Sequence, residues 1–190
     1  MANIGVMPAE MAVDFGCSGP VLRGSGVDWD LRRDGEPRYT QIYDGYDFDV
    51  IVQKDGRYPL RRDDPAVPKS AVLGDSWHRY YVRMLEAMQS VRLVRQAMEK
   101  IQKCDGPVSV KVKMKQKLPV GEAYIETEAP KGQMGFGLIG DGSAVPWRVR
   151  VRSSSLSNLA PVADLCRGLL IADVAAIVAS LDPVMGEIDR

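Results

Sequence analysis

A seven-residue repeat of apolar side chains between Ser76 and Gln102 constrains the fold of this chain more than any other feature. Two interleaved series make up the repeat, namely Trp77, Met84, Val91 and Met98, and Tyr80, Ala87, Val94 and Ile101. Side chains spaced in this way form a stripe along one face of an α-helix, so the segment is predicted to be one long helix that packs in a bundle. At about 1.5 Å per residue, such a helix would extend for roughly 40 Å.

Alternating polar and apolar residues predict a small antiparallel sheet in the second half of the chain. The predicted strands are Val108 to Met114, Ala123 to Glu128, and a hairpin of Gln133 to Ile139 and Trp147 to Arg152, which turns near Asp141 and Gly142. A further short strand is expected at residues 46–52. The chain is therefore predicted to have an α+β fold in which long bundle helices accompany a small antiparallel sheet.

Two segments in the first half of the chain are predicted to be loops. The first, residues 18–32, follows a short helix that is expected between Pro8 and Gly16, and its three glycines suit tight backbone turns. The second, residues 53–70, is rich in charge and proline and is predicted to be exposed. The 190 residues are expected to form a single domain.

The last helix is predicted to run from Ser157 or Asn158 to about Ser180, with Pro161 in its first turns. Because it is apolar on nearly every side, it is expected to be buried inside a larger body. Its longest apolar stretch, residues 168–181, contains Asp173 and falls short of the roughly 20 residues that a membrane-spanning helix needs. Pro183 is expected to hold the preceding residue extended and so to end this helix.

Composition excludes several functional classes. The 25 basic and 25 acidic side chains cancel, so no net charge favours nucleic acid or an anionic membrane surface. Three widely spaced cysteines and a single histidine form no metal-binding cluster, and the chain alone is not expected to hold zinc, nickel or an iron-sulfur centre. The histidine, His78, is expected at the protein surface.

Candidate functional residues lie where the sequence departs from simple local patterns. Lys131 stands between a proline and a glycine before the predicted hairpin, either as a solvated turn residue or at the rim of a pocket. Asp182 directly follows the apolar helix, so it is predicted to be a buried carboxylate that needs an arginine or lysine partner. The glycine-rich segment is either a surface connector or functional, but it lacks a phosphate-binding fingerprint.

Seven sequence motifs occur in an order that is specific to one family. They are SGPVLRGSGVDWDLR, YDFDV, GDSWHRYYVRMLEAMQS, GEAYIETEAPKG, GLIGDGSAVPWRVRVRSSS, IADVAAIV and DPVMGEIDR. Together they resemble the carboxy-terminal half of the quinone-site core subunit, or D-type subunit, of respiratory complex I, NADH-quinone oxidoreductase. This family is related to the large subunits of nickel-iron hydrogenases. The resemblance covers nearly the whole chain and implies the carboxy-terminal half of a hydrogenase-large-subunit-like fold.

The resemblance implies that the chain forms part of the wall of a quinone cavity, beside the subunit that holds the terminal iron-sulfur cluster. It would support electron transfer from NADH to quinone coupled to proton pumping, and it would be inactive alone. Positions that match the family's quinone cavity are Lys131, Asp182, Val184, Met185 and Gly186. An alternative is a structural or assembly component of the complex that has lost a working quinone site.

The resemblance also implies which cofactors and partners the chain would have. Hydrogenases hold nickel on paired cysteines after an Asp-Pro pair, but here Val184 and Met185 follow Asp182 and Pro183, so no metal and no other cofactor is expected on this chain alone. The quinone would bind at a subunit interface, with iron-sulfur clusters and NAD in partner subunits. The expected partners are the amino-terminal half of the quinone-site subunit as a separate chain, the terminal iron-sulfur cluster subunit, and other core and accessory subunits.

The expected location is the peripheral arm of complex I on the matrix side of the mitochondrial inner membrane. The alternative is the cytoplasmic face of a bacterial membrane.

Overall fold

A computed structural model describes residues 1–53, 68–111 and 117–189. The helices are α1 (Ala9–Asp14), α2 (Gly19–Gly24), α3 (Leu31–Asp34), α4 (Pro37–Thr40), α5 (Ser76–Ile101), α6 (Ser154–Leu159), α7 (Val162–Leu165), α8 (Ile171–Leu181) and α9 (Met185–Asp189), with a 3₁₀ turn at Gln41–Tyr43. The strands β1 (Gly121–Ala129), β2 (Gly132–Gly140) and β3 (Arg148–Arg152) form an antiparallel sheet in chain order. This mixture of helices and a small antiparallel sheet confirms the predicted fold class.

The long helix α5 matches the predicted segment closely. Asp75 caps its first turn, because the side chain of Asp75 accepts a hydrogen bond from the backbone N–H of His78. One face of α5 packs against α2 and α8, with Val82 fully buried. The predicted apolar stripe is nevertheless largely uncovered within the described residues. Six of its side chains, between 43% and 71% exposed, are Tyr80, Met84, Val91, Val94, Met98 and Ile101.

The core lies where α1, α2, α7 and α8 meet. Its buried members are Met7, Ala12, Cys17, Val21, Leu22, Leu165, Ile177 and Leu181. Helix α8 contributes a single face to this core, through Ile177 and Leu181, while Ile171 at its start is exposed. The other faces of α8 are left uncovered by the described residues, and burial of the last helix inside a larger body stays a prediction.

Strands β1 and β2 are joined by the two-residue turn Pro130 and Lys131, with Ala129 paired to Gly132. β2 in turn pairs with β3, for example Phe136 with Val151, which confirms the predicted hairpin. The predicted strand at residues 108–114 is wrong for residues 108–111, which have no strand structure, and residues 112–114 lie outside the described residues. Residues 54–67 of the predicted exposed loop also lie outside them.

The strand predicted at residues 46–52 is wrong. The segment has no strand partner in the described part of the chain, and helix α5 satisfies two of its backbone amides instead. The N–H of Asp47 donates to Gln96 at 2.8 Å, and that of Asp49 donates to Gln89 at 3.1 Å. Side chains of a neighbouring helix thus replace the ladder that a sheet would provide.

The predicted glycine-rich loop contains α2, every residue of which is buried. Pro20 lies in the first turn of this helix, a position that suits proline because its missing N–H is not needed there. Apolar neighbours on the core side then outweigh the weak helix preference of the glycines.

The single helix predicted to end near Ser180 is three helices, α6, α7 and α8. Ser153, rather than Ser157 or Asn158, caps α6 by accepting a hydrogen bond from the N–H of Leu156. Pro161, which has no N–H to donate, separates α6 from α7, and Gly168, with a φ of 75°, separates α7 from α8. In the described ranges no helix is long and apolar enough to cross a membrane.

Candidate functional site

A cleft of about 530 Å³ opens between α2, α5, the end of β1 and the end of α8. Its lining is rich in charge, and the ionisable members are Arg23, Arg32, Arg83, Glu86, Glu128, Lys131 and Asp182. A smaller apolar part of the wall is formed by Ala87, Leu93, Ala129 and Pro130, next to the ring of Tyr43. Cation, carboxylate and apolar surface are therefore available together to a ligand.

Main-chain contacts fix the position of Lys131. The turn that carries it touches the start of α2 so closely that a Cβ added at Gly19 would lie 2.4 Å from the Cα of Gly132. The backbone N–H of Gln133 donates to the hydroxyl of Ser18 at 3.0 Å, and the side-chain amide of Asn158 donates to the Lys131 carbonyl at 2.8 Å. The turn is thus attached to both α2 and α6.

Asp182 ends α8 in the left-handed conformation, with φ and ψ both 54°. The prediction of an extended residue before Pro183 is therefore wrong. The left-handed geometry turns the chain out of the helix and brings the Asp182 carboxylate to Lys131, with which it forms an ion pair. Arg83 adds a second cation, its Nε lying 3.7 Å from Asp182 Oδ2.

The expected basic partner of Asp182 is therefore Lys131, although the carboxylate is not buried as predicted. Its side chain is 37% exposed and borders the cleft. The other three predicted site residues, Val184, Met185 and Gly186, do not line this cleft within the described residues. Val184 and Met185 are exposed beside it at the start of α9.

A cage of serine donors holds α9 in place. The carboxylate of Glu187 accepts hydrogen bonds from the hydroxyls of Ser153, Ser154 and Ser155 and from the Ser155 backbone N–H, at 2.8 to 3.1 Å. Burial acts to raise the pKa of Glu187, but these donors outweigh it and hold that pKa below its ordinary value. Sequence reasoning missed this contact, although both halves of it lie in the quoted motifs.

Arg23 lies at the back of the cleft with 1% of its side chain exposed and shares its charge among three carboxylates. Its Nη2 lies 2.6 Å from Glu86 Oε1, and its Nη1 lies 2.9 Å from Asp30 Oδ2 and 3.2 Å from Glu128 Oε1. Burial acts to lower the pKa of Arg23, but Glu86, Asp30 and Glu128 outweigh it and raise that pKa above the ordinary arginine value.

The pKa values of Glu128 and Asp30 are shifted in opposite directions. Burial raises the pKa of Glu128 to about 7, and one of its oxygens, Oε2, has no hydrogen-bond partner among the described residues. Burial acts in the same direction on Asp30, but a two-pronged hydrogen bond from Arg32 and the charge of Arg23 keep the Asp30 pKa below its ordinary value. The pKa of Asp30 therefore differs from that of Glu128 because Arg32 donates two hydrogen bonds to the Asp30 carboxylate.

A second buried arginine, Arg79, holds the base of α5 and bonds to neutral groups alone among the described residues. It donates to the carbonyls of Gly74 at 2.6 Å and Gly5 at 2.9 Å, and to the hydroxyls of Ser76 and Ser180 at 3.0 Å. Burial lowers the pKa of Arg79 to about 10. Three separate segments of the chain, at Gly5, at Gly74 to Ser76 and at Ser180, are thereby tied to one guanidinium.

His78 is buried, so its predicted surface position is wrong. Its ring Nδ1 lies 2.8 Å from Asp75 Oδ1, and the same carboxyl group accepts from the backbone N–H groups of Asn3 and Val72. The capping role of Asp75 places His78 on the inner side of the first turn of α5. Within the described ranges no group of histidine, cysteine or acidic residues is placed to hold a metal ion.

Comparison with known proteins identifies the family. Residues 1–116 and 109–190 match the family described as "Respiratory-chain NADH dehydrogenase, 49 Kd subunit". The chain belongs to this family. It is 43% identical over 190 residues to a D-type subunit of the NADH-quinone oxidoreductase of Solibacter usitatus, in an alignment that covers 100% of this chain and 45% of the relative. It is 41% identical to the D-type subunit of the NADH-quinone oxidoreductase of Desulforamulus reducens, over 98% of this chain and 45% of the relative.

A solved structure supports the fold. The chain is similar to one in the membrane-bound sulfane sulfur reductase, an archaeal respiratory membrane complex, with a TM-score of 0.78 and 31% identity over 99% of this chain and 46% of that one. The predicted membership of the D-type, or 49 kDa, subunit family is thus confirmed. The chain spans about half the length of the relatives it matches.

Proposed function

We propose that this member of the 49 kDa subunit family forms one wall of the quinone cavity in a proton-translocating NADH:quinone oxidoreductase, beside the subunit with the terminal iron-sulfur cluster. The observation that carries the proposal is the cleft at which Lys131 and Asp182 form an ion pair. These residues are far apart in sequence, and both match cavity positions of the family.

The cleft has the chemistry that a quinone head group requires. The carbonyl oxygens of a quinone accept hydrogen bonds, which the Lys131 ammonium can donate, while the apolar wall near Leu93 and Pro130 suits the ring. When the quinone is reduced it gains negative charge, which Lys131 and Arg83 stabilise at short range in a partly dry site. Asp182 balances these cations while the cleft is empty.

The same proposal accounts for the apolar surface that the described residues leave uncovered. The stripe of α5, with Met84, Val91 and Met98, is the kind of surface that packs against other helices. We propose that the amino-terminal half of the 49 kDa subunit covers this stripe and supplies the rest of the cavity. NAD and the iron-sulfur clusters would then belong to other subunits, so the chain would be inactive alone.

The proposed location is the cytoplasmic face of a bacterial membrane, where the chain would form part of the peripheral arm. The relatives reported above come from bacteria, and the similar structure is an archaeal respiratory membrane complex. The mitochondrial inner membrane, which was expected from the sequence, has no support from these relatives.

The test is to purify the complex with the Asp182→Asn variant and, separately, with the Lys131→Met variant, and to measure quinone reduction by each. Each variant removes one charge of the pair, so quinone reduction is expected to fall about tenfold or more, since one unpaired charge near the ligand is worth at least about 1.4 kcal/mol. NADH oxidation by hexacyanoferrate, which bypasses the quinone, should be unchanged. Asp14→Asn, at an exposed position on α1, is the matched control. Equal losses with both acceptors would remove the pair from the site.

A structural or assembly role is the second candidate. It is favoured by the placement of Val184, Met185 and Gly186 outside the cleft lining. Under this alternative, the remaining subunits would fill the cleft with protein. Both variants would then reduce the yield of assembled complex without changing quinone reduction per assembled complex.

A further inference from the structure

Glu128 has an unusual position at the back of the cleft. It lies near the end of β1, on the strand that leads directly into the turn with Lys131. Its side chain is 4% exposed, yet it contributes to the cleft lining. A carboxyl group so placed is removed from bulk water but faces the space that a ligand would occupy.

Of the three carboxylates around Arg23, Glu128 lies farthest from the guanidinium. Arg23 lies nearer to Glu86 and to Asp30 than to Glu128, at 2.6 and 2.9 Å against 3.2 Å. Arg32 is occupied by its fork to Asp30. Glu128 is thus the member of this cluster for which ionisation is least supported by counter-charge.

One oxygen of Glu128 also has no partner in the described part of the chain. While Oε1 accepts from Arg23, Oε2 is buried and accepts from no donor there. The charged and titratable groups around it come from every neighbouring element, and they are Arg23 on α2, Asp30 and Arg32 at α3, Tyr43 in the 3₁₀ turn, and Glu86 on α5. None of these supplies the second oxygen with a hydrogen bond.

The charge balance of the cleft depends on this one group. With Glu128 ionised, the cations Arg23, Arg32, Arg83 and Lys131 are matched in number by the carboxylates Asp30, Glu86, Glu128 and Asp182. With Glu128 protonated, the cleft has one excess positive charge. The protonated form is therefore the one that favours an additional electron on a ligand, because opposite charges attract strongly at short range in a low dielectric.

We propose that Glu128 binds a proton from solvent whenever an electron acceptor held in the cleft is reduced, so that this residue stores redox-linked protons. The proposal rests on the proposed quinone function. In the balanced step, a one-electron carrier of a partner subunit, an iron-sulfur centre, transfers an electron to the bound quinone. The quinone becomes a semiquinone anion, and the Glu128 carboxylate takes up one proton and becomes a carboxylic acid, with no other bond formed or broken.

The titration range of the group fits this role. Burial raises the pKa of Glu128 to about 7, so the carboxylate is ionised above that pH in the oxidised state and protonated below it. A negative charge on the ligand raises this pKa further. Proton uptake on reduction is therefore expected at pH 8 and should nearly vanish at pH 6, where the group is already protonated.

Infrared difference spectroscopy of the intact complex tests the proposal. The complex is held in steady-state turnover with NADH and a short-chain benzoquinone, so that the semiquinone anion is populated, and the turnover-minus-oxidised spectrum is recorded at pH 8 and at pH 6. A carbonyl band of a newly protonated carboxylic acid is expected at pH 8 and should be absent at pH 6. Glu128→Gln should abolish the band, and Glu128→Asp should retain it.

Two further variants make the outcome specific. Glu122→Gln removes an exposed carboxylate from the same strand and should leave the band unchanged. Glu86→Gln removes one of the carboxylates that share the charge of Arg23, so Arg23 stabilises the ionised form of Glu128 more strongly and the pKa of Glu128 falls. The band should therefore appear at lower pH than in the wild type. This variant and the wild-type pH dependence test the proposal even if Glu128→Gln fails to assemble.

The proposal is overturned if the wild type has no such band at pH 8, or if the band persists in Glu128→Gln. This failure can be distinguished from failure of the quinone function itself. If Asp182→Asn impairs quinone reduction while Glu128→Gln leaves the band intact, the cleft binds quinone and another group takes the proton. If Asp182→Asn and Lys131→Met leave quinone reduction unaffected, the quinone function fails and the proton proposal fails with it.

Discussion

The two buried arginines among the described residues have nearly the same exposure and opposite surroundings. Arg23 contacts three carboxylates at the back of the cleft, whereas Arg79 bonds to two carbonyls and two hydroxyls at the base of α5. The pKa of Arg23 is raised by its acidic neighbours, and burial lowers the pKa of Arg79 to about 10. The same side chain thus serves as a shared counter-ion in one region and as a structural cross-link in the other.

The regions around Arg23 and Arg79 are expected to respond differently to pH. Around Arg23 the number of bound protons can change near neutrality, because Glu128 is poorly compensated. Around Arg79 the hydrogen-bond acceptors do not titrate, so its contribution to stability should be constant across the physiological range. The same substitution, arginine to methionine, can be made at both positions to test the difference.

The largest effect is expected for Arg23→Met. Methionine keeps much of the apolar stem but leaves buried carboxylates without their shared cation, which should cost about 3 to 5 kcal/mol at pH 8. Without Arg23, the folded-state pKa of Glu128 would lie still further above its unfolded value, whereas Asp30 keeps its hydrogen bonds from Arg32. The contribution of Glu128 is then most favourable at low pH and is lost as pH rises, so the deficit should shrink at pH 5. Thermal denaturation of the complex at the two pH values measures this, and an equal deficit at both would contradict charge sharing.

A slightly smaller effect is expected for Arg79→Met. The variant leaves the carbonyls of Gly5 and Gly74 without this donor in the interior, at a cost of about 2 to 4 kcal/mol. The deficit should be the same at pH 5 and pH 8. Arg95→Met, at an exposed position on the same helix, should change stability by about 0.5 kcal/mol or less. A strong pH dependence at Arg79 would show that the two regions do not differ as described.

The smallest effect is expected for Asp75→Asn, which tests the well-compensated carboxylate of the Arg79 region. Burial acts to raise the pKa of Asp75, but hydrogen bonds from His78, Asn3 and Val72 outweigh it and hold that pKa below the ordinary value. The resulting stabilisation is present above the unfolded pKa of about 3.9 and is lost as pH falls through the folded pKa. The variant should be about 1 to 2 kcal/mol less stable at pH 7, with little difference at pH 3. Chemical denaturation at the two pH values would detect the change, and an unchanged deficit at pH 3 would contradict it.

Local periodicity was sufficient to predict the long helix and the hairpin, since both are determined by side-chain spacing within one segment. It failed where contacts with residues distant in sequence determine the local structure. Residues 46–52 look like a strand, but Gln89 and Gln96 of α5 provide the partners for their amides. The position of Asp182 was predicted near a basic residue, yet the left-handed turn that brings it to Lys131 contradicts the usual preference before proline.

The charged cluster behind the cleft could not be predicted from the sequence at all. Its members, Arg23, Asp30, Glu86 and Glu128, lie on α2, before α3, on α5 and on β1, so no local pattern connects them. Their proximity is a product of how α2 packs against α5 and how β1 approaches both. Sequence motifs contain each residue but not the distances that determine which carboxylate is left undercompensated.

The close approach of Gly19 and Gly132 has a consequence for how this cleft can change during evolution. Because backbone touches backbone there, the Cα of residue 131 is located by two positions that tolerate no side chain. The backbone contacts that hold the turn do not involve the side chain of residue 131, whose own contact is the ion pair with Asp182. Related proteins can therefore have a different side chain at position 131, and with it a different preferred ligand, while the backbone around this position stays unchanged.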